Sequence, residues 1–390
     1  MSERTDVTAD SLVIYADCAA TQPLTPAVRA AMEPYLDLRL GNASSAHASG
    51  REASRVIREA RQRIADVLGC APGEIFFTSG GTESDNWAIK GCAFYHRLRG
   101  HLAVSAIEHR AVLAACDSME ALGMTQTLIQ PGPDGIVTAE SVASAMRQDT
   151  CLAAVMLANN EIGTVQPIPE ISEAVHARGA HLLCDAVQGL GQIPVQPRAL
   201  GADMLALSGH KIGAPVGIGL LYIREGVPIL PLLDGGGQEM GMRAGTENVA
   251  AIVGLAAAVE EAARMRGAES RYQMQDLLFE KLLAIPGCVV NGTRAHGKRL
   301  PGNVHVSFAG LDSESLVLHL DRMGIRCSAG AACSAGKHAI SHVLAAIGCD
   351  AARASSGLRF TLSADVTVPQ VERIAACTAR AVAMLRAVRG

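Results

Sequence analysis

The chain has 390 residues, 49% of them hydrophobic but only 3% aromatic, with a formal net charge of -4. That length suits two domains, with Leu, Val, Ile and Ala filling the cores. A mildly acidic chain without a long basic run argues against a nucleic-acid surface, and no apolar run nears the ~20 residues of a membrane helix.

In chain order, Met1 to Ser11 are polar and acid-bearing, unlike a signal or transit peptide. Leu12 to Ala16 reads as a short extended run, followed by a turn at Asp17 to Thr21. Thr25 as N-cap and Pro26 at the first position predict a helix from Pro26 to Leu36. A small polar loop, Gly41 to His47, precedes an amphipathic helix expected over Glu52 to Leu68. A rhythm then sets in. Strands are expected at Glu74 to Thr78, His101 to Ile107, Thr125 to Ile129, Cys151 to Ala158, His181 to Cys184, Met204 to Leu207 and Gly219 to Ile223. Between the earlier ones lie helical patterns at Glu83 to Leu98, Ala111 to Leu122, Ala139 to Arg147 and Ile168 to Ala177. Such alternation predicts an α/β fold with a mostly parallel sheet of seven strands sandwiched by helices.

Glu247 to about Ile285 is helical in pattern, interrupted at Gly267. Short strands and helices follow, ending in a long helix from Pro369 to Val388. We expect a large domain over residues 17–266 and a smaller α+β domain from residues 1–16 and 267–390. The small-residue stretch at about 328–338 should be an exposed, mobile loop of that smaller domain.

Eleven dispersed cysteines without a Cys-x-x-Cys pair predict reduced thiols and a cytoplasmic setting. Sheets of this kind bind ligands beyond the carboxyl ends of their strands. That rule selects the loops carrying Gly81 and Thr82, His109, Asn160, Asp185 and Gln188, and Ser208 to Lys211. Lys211 stands just past a buried strand, where apolar surroundings should lower its pKa and make it a nucleophilic amine; a solvated loop lysine is the competing reading. Thr78-Ser-Gly-Gly-Thr82 follows a strand and opens a helix, so its backbone N–H groups can hold a phosphate, or it is a plain glycine turn. Asp185 closes a buried strand and needs a cationic partner, unless it caps the next helix. His109 can stack on a ligand ring or simply pack. Asn160 and Gln188 can bind a carboxylate and a phenolic oxygen, or satisfy loop backbone. Taken together the set suggests pyridoxal 5'-phosphate, with the aspartate keeping the pyridine ring protonated. Arg359, in an extended apolar context, needs an anion: a substrate carboxylate, or an internal acid.

These residues sit in motifs that resemble the cysteine desulfurases of the class V aminotransferase superfamily. The motifs are Gly41-Asn-Ala-Ser-Ser-Ala-His47, Thr78-Ser-Gly-Gly-Thr-Glu-Ser-Asp-Asn86, Glu108-His109, Ala158-Asn-Asn-Glu-Ile-Gly163, Asp185-Ala-Val-Gln188, Ser208-Gly-His-Lys211, Arg243-Ala-Gly-Thr-Glu-Asn248 and Ser328-Ala-Gly-Ala-Ala-Cys-Ser334. The resemblance implies pyridoxal-phosphate-dependent transferase fold type I and conversion of L-cysteine to L-alanine. Lys211 would be the Schiff-base lysine, Asp185 would pair the ring nitrogen, Gln188 the ring hydroxyl, and His109 would stack on the ring. Gly81, Thr82, Ser208 and His210 would hold the phosphate, joined by Thr246 from the second subunit of a homodimer. Asn160 and Arg359 would bind the substrate carboxylate.

Cys333 matches the family's nucleophile and would carry a persulfide to a sulfur-acceptor protein, an iron–sulfur scaffold or a thiolation protein. No metal, membrane or direct nucleic-acid contact is expected. Cys327, at the end of an apolar strand, reads as a core residue. Cys18, Val216, Met240 and Ala331 depart from the family's usual residues, and none removes a named catalytic role. A selenocysteine lyase or class V aminotransferase on the same fold is the alternative, which a thiol at Cys333 disfavours.

Overall fold

The computed structural model describes residues 13–36, 41–265, 269–330 and 340–389. A first strand, β1 (Ile14–Tyr15), is followed by β2 (Ile75–Thr78), β3 (His101–Ser105), β4 (Thr125–Ile129), β5 (Thr150–Ala154), β6 (His181–Asp185), β7 (Met204–Ser208) and β8 (Gly219–Ile223). Strands β2 to β8 make one seven-stranded sheet in the order β2-β8-β7-β6-β5-β3-β4. Pairs from β7 through β6, β5 and β3 to β4 are parallel, whereas β8 runs antiparallel to both β7 and β2. The architecture is the mostly parallel α/β sandwich expected from the rhythm of the sequence.

Strand residues alternate between two cores because successive side chains point to opposite faces. Leu182 and Cys184 of β6, with Leu205 and Leu207 of β7, pack with the helices Ala48–Leu68 and Val249–Met265. Leu183 and Met204 face the other way, toward Trp87 and Ile89 of the helix Gly81–Tyr95 and Val112 of the helix Arg110–Ala121. Each fully buried leucine contributes roughly 1.5–3 kcal/mol. β4 is the edge: its Thr-Gln-Thr-Leu-Ile sequence is largely exposed and ends in one buried isoleucine.

The rest of the chain has its own core. Strands β9 (Cys288–Val290), β10 (Asn303–Phe308), β11 (Ile325–Arg326), β12 (Ser328–Ala329) and β13 (Gly357–Thr361) follow. The order β12-β13-β10-β9 forms an antiparallel sheet, while β11 pairs in parallel with β1. Phe279, Val306, Phe308, Leu320, Phe360 and Ile374 fill this core, and Ile14 and Ala16 join it.

Several boundaries differ from the sequence expectation. The helix expected from Glu52 begins at Ala48, because the His47 imidazole caps it by accepting from Gly50 N at 3.2 Å. β5 stops at Ala154 rather than Ala158. Beyond it the chain stays bonded to β6, through Val155 N to Leu183 O at 3.0 Å and Leu157 N to Asp185 O at 2.8 Å, and pairs with its own return at Val165 and Gln166, with Gln166 N donating to Leu157 O at 2.9 Å. The helix expected from Ile340 is reduced to His342–Ala346 with Ser341 as its cap. No helix among the described residues is long and apolar enough to cross a membrane.

Candidate active site

The carboxyl ends of the parallel strands surround a cavity of about 380 Å³. The chain reverses direction across the sheet between β3 and β5, the switch point at which open α/β sheets leave a crevice. Of the residues selected from the sequence, Gly81, Thr82, His109, Asn160, Asp185, Gln188, Ser208, His210, Lys211 and Arg359 all line this one cavity.

Lys211 reaches it through a tight turn. β7 ends at Ser208 and Gly209–Lys211 form a single 3-10 turn. A Cβ on Gly209 would lie 2.9 Å from Ile218 Cγ2 and 3.0 Å from Ala214 Cβ, so only glycine fits. The Lys211 ammonium donates to the carbonyls of Ala19 at 2.7 Å and Ala20 at 2.8 Å. That covering segment is itself tied to β13, through Ala19 N to Thr361 Oγ1 at 2.9 Å. Gln188 donates from Nε2 to the same Ala19 carbonyl at 3.0 Å.

Asp185 is buried at the end of β6 and accepts from Val187 N at 2.9 Å. Burial pushes its carboxyl up, and His109, the Val187 N–H and Lys211 pull it back. Two more buried acids stand near it. Burial raises Asp85 and Glu108 well above the carboxylate range, and the charge of Asp185 adds to both. Asp85 Oδ1 and Glu108 Oε2 are buried without a hydrogen-bond partner among the described residues. A site with orphaned acid oxygens beside a strand-end aspartate suits a cationic ring nitrogen.

The opposite wall suits an anion. Gly80 precedes the helix Gly81–Tyr95 at φ 152°, a conformation that glycine adopts freely. A Cβ on Gly81 would lie 2.8 Å from Val187 Cγ2. The backbone therefore approaches closely, and the N-terminal N–H groups of the helix face the region of Thr82 and Ser208. His210 Nδ1 lies 3.2 Å from Thr21 Oγ1, and burial, with Lys211 nearby, holds this imidazole below its usual range.

The third wall carries Arg359, Asn160 and His109. Arg359 donates to the Asn160 carbonyl at 2.7 Å and to Asp17 Oδ1 at 2.7 Å. It thus has the internal acid named as its competing partner, and its buried Nε keeps no partner among the described residues. His109 caps the helix Arg110–Ala121, its Nδ1 accepting from Ala111 N at 3.1 Å.

Glu161 was missed as a site residue, although it follows Asn160 in a motif singled out from the sequence. It lines the cavity and accepts from Ser341 Oγ at 2.5 Å. Burial pushes its carboxyl up to about 7, against Ser341, Arg359, Arg110 and His109. Asp17, Asp85 and Glu108 were likewise given no role. An acid beside a buried strand end was the available signal.

Thr246 is exposed and does not line the cavity of its own chain. Cys333 and most of the expected loop at 328–338 lie outside the described residues. The bordering residues Gly330 and Ile340 both line the cavity. Cys327 is buried in the second core, where burial pushes its thiol far up.

The family profile described as Aminotransferase class-V matches residues 14–374. Cysteine desulfurase IscS of Dictyoglomus turgidum is 44% identical over 353 residues, 90% of this chain and 89% of its own. Cysteine desulfurase IscS of Methanosarcina thermophila is 43% identical over 375 residues, 95% of this chain and 92% of its own. Among solved structures, a NifS-like protein superposes with a TM-score of 0.88 at 33% identity, covering 96% of this chain and 100% of its own. SspA in complex with cysteine superposes with a TM-score of 0.79 at 37% identity, covering 89% of this chain and 98% of its own.

Proposed function

The chain belongs to the class-V aminotransferase family and, within it, to the cysteine desulfurases; on that premise we propose which of its residues do the work. The observation that carries the reading is the convergence of Lys211, Asp185 and His109 on one cavity whose rim includes Gly330 and Ile340, the residues bordering the Cys333 segment.

Pyridoxal 5'-phosphate, when bound, supplies the electron sink for chemistry at the substrate's Cα and Cβ. Lys211 holds its aldehyde, Asp185 its ring nitrogen, Gln188 its hydroxyl, and His109 covers its face. Gly81, Thr82, Ser208 and His210 hold its phosphate at the helix N-terminus, with Thr246 of the partner subunit completing the cradle in a homodimer. The cluster of three buried acids supports this assignment, since a cationic ring nitrogen beside Asp185 would favour the charged form that burial disfavours.

L-Cysteine is the substrate. Arg359 and Asn160 bind its carboxylate. The Lys211 amine, oriented by the Ala19 and Ala20 carbonyls, takes the Cα proton and returns it. The Cys333 thiolate then forms an S–S bond to the substrate sulfur while the Cβ–S bond breaks. The electron pair stays on the carbon side, and protonation there yields alanine. L-Cysteine and an enzyme thiol thus become L-alanine and an enzyme persulfide, with atoms balanced. The persulfide passes to an acceptor protein in the cytoplasm, an iron–sulfur scaffold or a thiolation protein, in keeping with relatives named IscS.

Lys211→Ala tests the reading. The wild type is expected to be yellow with cofactor and to turn over cysteine. The variant should form no covalent adduct reducible by borohydride and should lose turnover by on the order of a thousandfold or more, the scale of a removed nucleophile or base. Sustained turnover by the variant refutes the assignment.

A further inference from the structure

Far from the cavity, at the amino ends of the same strands, a second set of reactive side chains converges. Cys92 lies in the last turn of the helix Gly81–Tyr95 and His96 is its C-cap. Their spacing of four residues puts both on one helix face. Cys151 stands at the start of β5, beneath that face. One ligand atom from each of Cys92, His96 and Cys151 can be chosen so that all three lie within 4.8 Å of one another. Both cysteines are free and buried.

Two features distinguish this trio from ordinary core packing. His96 Nε2 is buried and has no hydrogen-bond partner among the described residues. A buried imidazole nitrogen left so costs stability, and a metal ion is one of the partners that satisfies it. The thiols also face each other. The Cys92 S–H is directed at the Cys151 sulfur, and Cys151 Sγ donates to the His101 carbonyl at 3.5 Å. None of these residues has a part in the chemistry of the cavity. Ten to fifteen residues of the helix separate Cys92 and His96 from Gly81 and Thr82, roughly 15–22 Å at 1.5 Å per residue.

We propose that Cys92, His96 and Cys151 form a binding site for a soft d-block cation, Zn2+ in the first instance. Two thiolates and one imidazole are a ligand set suited to Zn2+, and three protein ligands leave a fourth position for water. A tetrahedral zinc with bonds of ~2.3 Å to sulfur and ~2.0 Å to nitrogen sets its ligand atoms ~3.6–3.8 Å apart. The trio closes by at most about an ångström to meet that geometry. His96 is only partly buried, so the ion enters from the surface on its side. Binding exchanges the thiol protons for the metal and involves no redox step.

The test uses the full chain loaded with cofactor and carrying Cys333→Ser, which removes the proposed catalytic thiol as a competing ligand. Zinc is added at one equivalent, the protein is desalted, and zinc K-edge absorption is recorded with a competitive chelator titration. One ion per chain is expected, with two sulfur scatterers at ~2.3 Å and nitrogen or oxygen at ~2.0 Å. Cys92→Ser and Cys151→Ser should each lose one sulfur scatterer and most of the affinity. His96→Gln should weaken binding by more than the roughly 10–100-fold that loss of an outer-shell contact costs. Should the buried serine variants fail to fold, the partly exposed His96→Gln decides alone, and an unchanged affinity there overturns the proposal. So does failure to retain zinc, an unaltered sulfur shell in either serine variant, or a Cys92–Cys151 disulfide in protein purified under reducing conditions.

Discussion

Glu161 joins the cavity to both described borders of the Cys333 segment. It accepts from Ser341, and a Cβ on Gly330 would stand 3.3 Å from its Oε2. Its carboxyl is pushed up to about 7 from an ordinary 4.5, chiefly by burial. The neutral acid is therefore the form the fold favours. Its contribution to stability is complete below pH 4.5 and is lost as the pH rises through about 7. Glu161→Gln keeps the shape and removes the titration. Across that window the unfolding free energy of the wild type should fall by roughly 3 kcal/mol at most more than that of the variant. Urea unfolding at a series of pH values measures this, and parallel curves for the two proteins contradict it. Arg359 makes a related point about buried charge. Its pairing with Asp17 ties the covering segment to β13, and its buried Nε has no partner among the described residues.

At the scale of elements, the strand-to-helix turn at Gly80 carries the anion wall. Gly80 sits at φ 152° and ψ -178°, a region costing other residues about 1–3 kcal/mol. A Cβ there would meet only Ser208 Oγ at 3.6 Å, an ordinary contact, so the cost is backbone strain rather than collision. Gly80→Ala should weaken cofactor phosphate binding about tenfold, since 1.4 kcal/mol corresponds to a factor of ten. Absorbance titration of the cofactor reads this directly, and unchanged affinity argues that the turn does not shape the site. The strand ends bearing these residues were legible in the sequence because buried parallel strands read as short apolar runs ending in polar loops. Helix starts were less so. His47 caps its helix through a ring nitrogen, which a preference for Ser, Thr, Asp or Asn at that position overlooks. The acids Asp85, Glu108 and Glu161 were in view but received no role, since their burial and mutual charge depend on strands far apart in the chain.

For the whole molecule, one physical arrangement underlies the proposed activity. The seven-stranded sheet supplies a rigid rim of strand-end groups, and the second core brings Arg359 and Gly330 to that rim from β13 and the end of β12. Lys211 and Asp185 thus reach the cavity from the sheet, and Arg359 reaches it from β13 beside the second core. The change of texture after Pro286 was readable in the sequence. The partnership of Asp17 with Arg359 was not, because it joins residues 342 positions apart. The most direct measurement is to incubate the cofactor-loaded protein with sulfur-labelled L-cysteine, alkylate, digest and map the label by mass spectrometry. One labelled persulfide is expected on the peptide containing Cys333, formed in equal amount with alanine. Label on Cys327 or on no cysteine at all, while alanine still forms, would contradict it.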